Sequence, residues 1–369
     1  MRRRLCTAVI GLLVLAGVGA VPASAADTPL IASPKVMTLN LYVGADLASF
    51  DPESILETIV ATNYRERAVS IADEIGDRNP DLIGLQEVSD LSVTFSSDGT
   101  CDPNKLGPPV AGTPQDDYLD ILLGALKAEG ESYVVASEVT NAKVSLPFQI
   151  IPGVIACGNL TDRDVILART ETTRTWNPRS GNYAVNFTLP LPSEEHPTTF
   201  TRGWTMVDAT VRGSTFTFAN THLEVEPDRK TGAGFCTAET APIPCQIPQA
   251  QELAGVLAKT AHPTILVGDF NAAPGTTAYG IIAGAGFEDA WNIRLFNISQ
   301  QENTCCQAER LLNVSSTLNQ RIDIVFIRAA GDPVSLATVV FDQSWEKTPS
   351  GLWPTDHGSV VARLLYANP

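Results

Sequence analysis

"TILVGDFNAAPG" (264–275) changes character at its midpoint. Thr264 to Val267 is a short apolar and β-branched run, the mark of a buried strand. Gly268 to Gly275 carries the Gly, Asp, Asn and Pro residues that end strands and make turns. A turn alone accounts for Asp269 and Asn271, because their side chains bond nearby backbone groups. Whether the strand exists to hold those two side chains is decided by the rest of the chain.

Other apolar runs end in the same way. "VMTLNLYVG" carries Asn40, and "DLIGLQEV" ends in Gln86-Glu87. "FTFANTHLEV" delivers Asn220 and His222, "RIDIVFI" places Asp323 near its start, and "PTDHGSVVARL" sets Asp356 and His357 before the last run. Further strands are read at Ser132–Ser137 and Asp164–Ala168, and Arg212-Gly213 marks a hairpin between 204–211 and 214–219. Helical spacing recurs between strands: Ala68, Ile71, Ala72 and Ile75; Leu119, Leu122, Leu123 and Leu126; Ala250, Leu253, Ala254 and Leu257. This mixture of β-α units and antiparallel hairpins predicts a two-sheet core with outer helices.

The N-terminus reads as an export signal. Arg2 to Arg4 precede an apolar run from Thr7 to Val21, and Ala23-Ser24-Ala25 is a small-residue cleavage site. Residues 1–25 are therefore assigned as a secretory signal peptide and the protein as secreted. No linker or internal repeat divides 26–369, which is read as a single catalytic domain. No other segment approaches the roughly 20 apolar residues of a membrane span. The net charge of −16 argues against a broad basic nucleic-acid surface. It leaves room for a phosphate substrate if a divalent metal supplies positive charge locally. Six cysteines follow the signal, an even count that points to disulfides in an exported chain. Cys236 with Cys245 would close a short loop and Cys101 with Cys157 a longer one. Cys305 and Cys306 either bridge each other or pair elsewhere. None has zinc-finger spacing.

Each polar residue has an ordinary explanation and a chemical one. Glu87 directly follows an apolar run, where a carboxylate needs a partner or a cation. With Asn40 it offers the oxygens that a hard cation prefers. Asp323 could pair with Arg321, or orient a histidine and stabilise its imidazolium. Asp162 and Asp164 in "TDRDVILAR" suit a turn before a strand or the orientation of the other histidine, and Arg163 suits a phosphate contact. There is no G-x-S-x-G elbow, Walker loop or Rossmann glycine motif. What remains is a metal-assisted hydrolysis site of carboxylates, amides and two histidines.

In this order, "MTLNLY", "LIGLQEV", "NTHLEV", "VGDFNAAPG", "RIDIVFI" and "TDHGSVVARL" resemble the endonuclease/exonuclease/phosphatase superfamily, and they span Met37 to Leu364. That superfamily includes DNase I-like nucleases, abasic-site endonucleases, bacterial sphingomyelinases and inositol-polyphosphate phosphatases. "NLYVGADL" resembles a secreted bacterial subgroup of it. The resemblance implies a four-layered α/β sandwich, two mixed β-sheets packed face to face with helices outside. It implies a phosphate-ester substrate, nucleic acid or phospholipid among them, and Mg²⁺, or Mn²⁺ or Ca²⁺ in its place. It assigns Asn40, Glu87 and Asp356 to the metal. It gives Asp269 to the attacking water, Asn271 to the phosphate or water, and His357 with Asp323 to base or phosphate-binding duty. His222 would protonate the leaving oxygen or stabilise the transition state. The choice of base between Asp269 and His357 stays open.

Asp46, in the distinctive "VGADL" loop, is within reach of such a metal. The 91–117 and 236–245 segments read as insertions beside the strand ends. No long exposed apolar hairpin or basic amphipathic helix is evident, which favours a nuclease over a phospholipid, sphingomyelin or inositol-phosphate hydrolase. A non-catalytic binding protein on the same fold would have lost some of the six motifs, and none is lost. No protein partner is expected.

Overall fold

The computed structural model describes residues 31–45, 52–96, 98–99, 101–102, 105–189, 198–226, 235–237, 242–296 and 302–367. Residues 1–25, read from the sequence as a signal peptide, and Asp46 lie outside the described residues. Two mixed sheets form the centre. The larger runs Ile31–Ala32, Ser359–Ala367, Lys35–Asn40, Leu82–Gln86, Val154–Arg169, Asp90–Ser96 and Leu106–Pro109, with three further strands on its flanks. The smaller runs Glu288–Asp289, Asp323–Arg328, Thr264–Asp269, Ser214–His222, Gly203–Val211 and Thr173–Asn182. The pairs Lys35–Asn40 with Leu82–Gln86 and Ser214–His222 with Thr264–Asp269 are parallel. Most other neighbours are antiparallel, including the hairpin at Arg212-Gly213, whose two residues take the left-handed backbone such a turn requires.

Strand side chains alternate between two faces, and here the alternation builds four layers. Val36, Leu82 and Ile166 of the larger sheet meet Phe216, Phe218, Ile265, Val267, Val325 and Ile327 of the smaller in one buried cluster. Met37, Leu39, Ile83 and Leu85 face the other way, onto the helices Tyr64–Arg78 and Tyr118–Ala128. Leu266, Ile324 and Phe326 do the same against Gln246–Leu257 and Thr277–Gly284. The expected four-layered sandwich is therefore present. The sheets approach so closely that a Cβ on Gly84 would fall 2.4 Å from Val267 Cγ2.

Two linked expectations are overturned, that the chain has no long exposed apolar hairpin and that 132–137 and 164–168 are separate short strands. The runs read as short strands at 132–137 and 164–168 are the inner parts of a long hairpin, Tyr133–Ile151 and Val154–Arg169. Its outer half projects past the Gln86 end of the Leu82–Gln86 strand, and its apolar tip exposes Ile150 and Ile151. The Asp90–Ser96 strand pairs along it. Isoleucine, proline and glycine near the tip hid this element, because they read equally well as a loop.

The described cysteines pair as Cys101–Cys157, Cys236–Cys245 and Cys305–Cys306. No helix among the described residues is long and apolar enough to cross a membrane.

Candidate active site

The inner-face positions carry the site. Along Lys35–Asn40 they read Val36, Thr38, Asn40; along Ser214–His222 they read Phe216, Phe218, Asn220, His222. Along Thr264–Asp269 they read Ile265, Val267, Asp269, and Asp323 precedes Val325 and Ile327. Each series is apolar at one end and polar at the other. Register aligns the polar ends: His222 lies beside Asp269, Asp269 beside Asp323, and Asn40 beside Gln86. Gln86 and Asn220 then bond each other at 2.6 Å and brace the two sheets below the site.

Asp269 is at the middle. Its Oδ1 accepts the Asn271 backbone N–H at 2.8 Å, and its Oδ2 accepts Asn40 Nδ2 at 3.1 Å. His222 Nε2 is 3.6 Å from that Oδ2, and His357 Nε2 is 3.8 Å from it. Burial and the neighbouring Asp323 push the Asp269 carboxyl up to about 7. Gly268 supplies the close approach beneath it, since a Cβ there would stand 2.1 Å from the Thr221 carbonyl oxygen. Asn271 has a left-handed φ of 46° and donates its amide to the Leu223 carbonyl. The turn chemistry of "GDFNAAPG" is thus real, and it aims these two side chains.

His357 Nδ1 donates to Asp323 Oδ2 at 2.8 Å. Burial alone would lower the His357 pKa. The carboxylates of Asp323, Asp356 and Asp269 outweigh it and hold the pKa well above the ordinary 6.5. His222 is the opposite case. Its Nδ1 faces Arg202 Nη1 at 3.0 Å. Its Nε2 in turn lies 3.2 Å from the Asn271 side-chain amide nitrogen, so both ring nitrogens face donors. Burial, then Arg202 and His357, hold the His222 pKa well below 6.5.

Of the three residues expected at the metal, Asn40 gives its Oδ1 to the Tyr42 N–H at 2.9 Å and turns its amide nitrogen toward Glu87. Asn40 Nδ2 also donates to Glu87 Oε1 at 3.0 Å, and Glu87 Oε2 accepts the Val43 N–H at 2.9 Å. Asp356 Oδ1 has no hydrogen-bond partner, and burial raises that carboxyl to about 7. An unpartnered carboxylate oxygen beside the Glu87 charge is the donor set that a hard divalent cation takes, so the residues fit one. Asp269, Asp323 and His357 also place ligand-capable atoms within 4.8 Å of one another, but His357 Nδ1 and Asp323 Oδ2 are already satisfied by each other.

The three remaining candidates separate. Asp162 accepts Asn141 Nδ2 and stands 4.0 Å from Arg202 Nη1. Asp164 is buried, with neither oxygen bonded, and its carboxyl is raised well above the ordinary value by burial and by Asp162. Arg163 is spent elsewhere, donating to the Val88 carbonyl and to Asp117.

Two arginines escaped the sequence reading. Arg202 lies just before a strand with no motif around it. Arg67, in the first turn of the Tyr64–Arg78 helix, donates to the carbonyls of Leu41, Tyr42, Thr62 and Pro354. It thereby ties the loop after Asn40 to the loop before Asp356. Thr304 Oγ1, accepting the N–H of Asp323, adds a similar brace. Sequence spacing carries no trace of these long-range contacts.

The sequence matches none of the curated proteins at a significant level. Solved structures share the fold. An endonuclease/exonuclease/phosphatase from Bacteroides vulgatus is 14% identical, with 90% of this chain and 98% of that chain covered and a TM-score of 0.53. A mannosyl-6-phosphatase from Bacteroides thetaiotaomicron is 15% identical, with 90% and 100% covered and a TM-score of 0.52. A family protein from Bacteroides thetaiotaomicron is 16% identical, with 92% and 97% covered and a TM-score of 0.53. The Endonuclease/Exonuclease/phosphatase family model matches residues 37–357, which takes in Asn40 and every other site residue through His357. On that match the chain belongs to the Endonuclease/Exonuclease/phosphatase family, whose members are hydrolases acting on phosphoesters.

Proposed function

We propose that this protein is a secreted, divalent-metal-dependent phosphoesterase that hydrolyses a phosphodiester by in-line attack of an activated water. The observation that carries the reading is the placing of Asp269 among Asn40, Asn271, His222 and His357, with its carboxyl near 7. A base works best with a pKa near the working pH. His357, held protonated by Asp323, is poorly suited to take a proton and well suited to bind a phosphoryl oxygen. Asp269 is therefore assigned as the base that takes the water's proton.

His222, whose pKa is held well below 6.5, has no extra proton to give a leaving oxygen, and this favours the stabilising role over leaving-group protonation. Asn271 orients water or phosphate beside it. Glu87 and Asp356, steadied by Asn40, would hold Mg²⁺, Mn²⁺ or Ca²⁺. When bound, the cation would neutralise charge on the phosphoryl and leaving oxygens, a contribution of several kcal/mol. The disulfides and the export signal support secretion.

A second reading keeps the site and changes the substrate to a phospholipid, sphingomyelin or inositol phosphate. The apolar end of the 133–169 hairpin favours it. A panel of plasmid DNA, RNA, sphingomyelin, phosphoinositides, mannose 6-phosphate and bis(p-nitrophenyl) phosphate, run with Mg²⁺ and with EDTA, tests both. Cleavage of at least one diester that EDTA abolishes is expected. No hydrolysis of any member, or hydrolysis indifferent to EDTA, would overturn the metal-dependent reading.

A further inference from the structure

Residues 144–161 contain no charged side chain, eighteen in succession between Lys143 and Asp162, in a chain of net charge −16. They form the outer half of the long hairpin. Register fixes its direction. Leu85 pairs with Val165, and the Val88 N–H bonds the Arg163 carbonyl, so Arg163 lies level with Glu87 and Asp162 one residue beyond, at the mouth of the site. The chain from Asp162 back to Val154 continues outward, and at about 3.3 Å per residue its end stands about 25 Å beyond the mouth.

At that end Phe95, Ile150 and Ile151 are 37%, 38% and 59% exposed, with Phe148, Val154 and Ile155 half-buried beside them. The arm is not a loose loop. Its two strands stay paired to Ile151 and Val154, Asp90–Ser96 pairs alongside, Cys101–Cys157 staples it, and Val93, Val110 and Ala156 form a small core under Phe148.

We infer that the tip of this arm docks the protein on a zwitterionic lipid surface, so that the site works next to a membrane. Three features select that occupant. The end is aliphatic and uncharged, and its hairpin backbone is paired, so it enters an apolar layer without stranding peptide groups. The strongly negative chain disfavours an anionic bilayer. A second copy added edge to edge is disfavoured by Pro147, which removes an N–H from the edge strand. Docking does not depend on the catalytic assignment.

The test is flotation of the mature, oxidised protein with phosphatidylcholine vesicles. It compares wild type, the Ile150→Asp/Ile151→Asp double variant and a Val314→Asp control at an exposed residue on another segment. Wild type and control should float together, and the double variant should lose at least tenfold in bound fraction. Hydrolysis of soluble bis(p-nitrophenyl) phosphate should stay within twofold in all three, which also shows that the variants are folded. Ile151→Trp, read by the emission shift on adding vesicles, covers the case of a double variant that fails to fold; a blue shift is expected. No flotation of wild type, equal flotation of the double variant, an unshifted Trp, or a tip-dependent dimer without vesicles would overturn docking. Tip-dependent flotation without any diester hydrolysis would sink the catalytic reading and leave docking standing.

Discussion

Asp269 and His222 show how little a residue's type determines about its charge. Asp269 has a folded-state pKa of about 7, above its ordinary 3.8. Its contribution to stability is therefore full below the lower value and lost as pH rises through the upper one. Asp269→Asn removes that cost. In EDTA it should raise Tm relative to wild type by more at pH 8 than at pH 5, where only part of the cost has accrued; equal shifts at both would contradict the raised pKa. His222 should titrate well below the ordinary 6.5, as read from its ring proton resonances in an NMR titration. Arg202→Gln removes one of the causes holding it down, so its midpoint should rise toward 6.5. An unmoved midpoint would mean that the guanidinium does not help to hold the pKa down.

Strands are the element through which sequence becomes site. Period-two alternation could be read directly: Val36, Thr38, Asn40 and Ile265, Val267, Asp269 each step along one face into a polar end. Six such ends in order made the fold and most of the site legible. Arg202, Arg67 and Thr304 were not legible, because what they do depends on partners up to hundreds of residues away. The hairpin arm was missed for a different reason: its apolar face meets solvent, so the usual link between apolar sequence and burial fails there. Gly268 was legible only as a turn residue, whereas the structure gives it a packing role. Gly268→Ala should cost about 1–3 kcal/mol in urea denaturation and lower turnover by displacing Asp269. A variant with wild-type stability and rate would show that the strand ends are less tightly packed than the 2.1 Å approach implies.

At the scale of the whole molecule, two sheets packed inner face to inner face make both the core and the site. The centre of the sandwich excludes water from Val267 and Phe218, and its open end concentrates Asp269, Asp323, Asp356, Glu87 and two histidines. So many carboxyl groups beside each other repel one another, and a divalent cation should relieve that repulsion. Mg²⁺ should accordingly raise Tm of the wild type at pH 8 and do so less in Glu87→Gln; an equal rise in both would remove Glu87 from the metal set. The central claim is that Asp269 is the base of a metal-assisted phosphoester hydrolysis. It is tested most directly by the pH dependence of kcat/KM on bis(p-nitrophenyl) phosphate in saturating Mg²⁺, for wild type and Asp269→Asn. The account predicts a wild-type rate that rises with pH through about 7, and a variant slower by ~10²–10⁴-fold with that rise absent. A variant that keeps the wild-type rate and the same rising limb would contradict it.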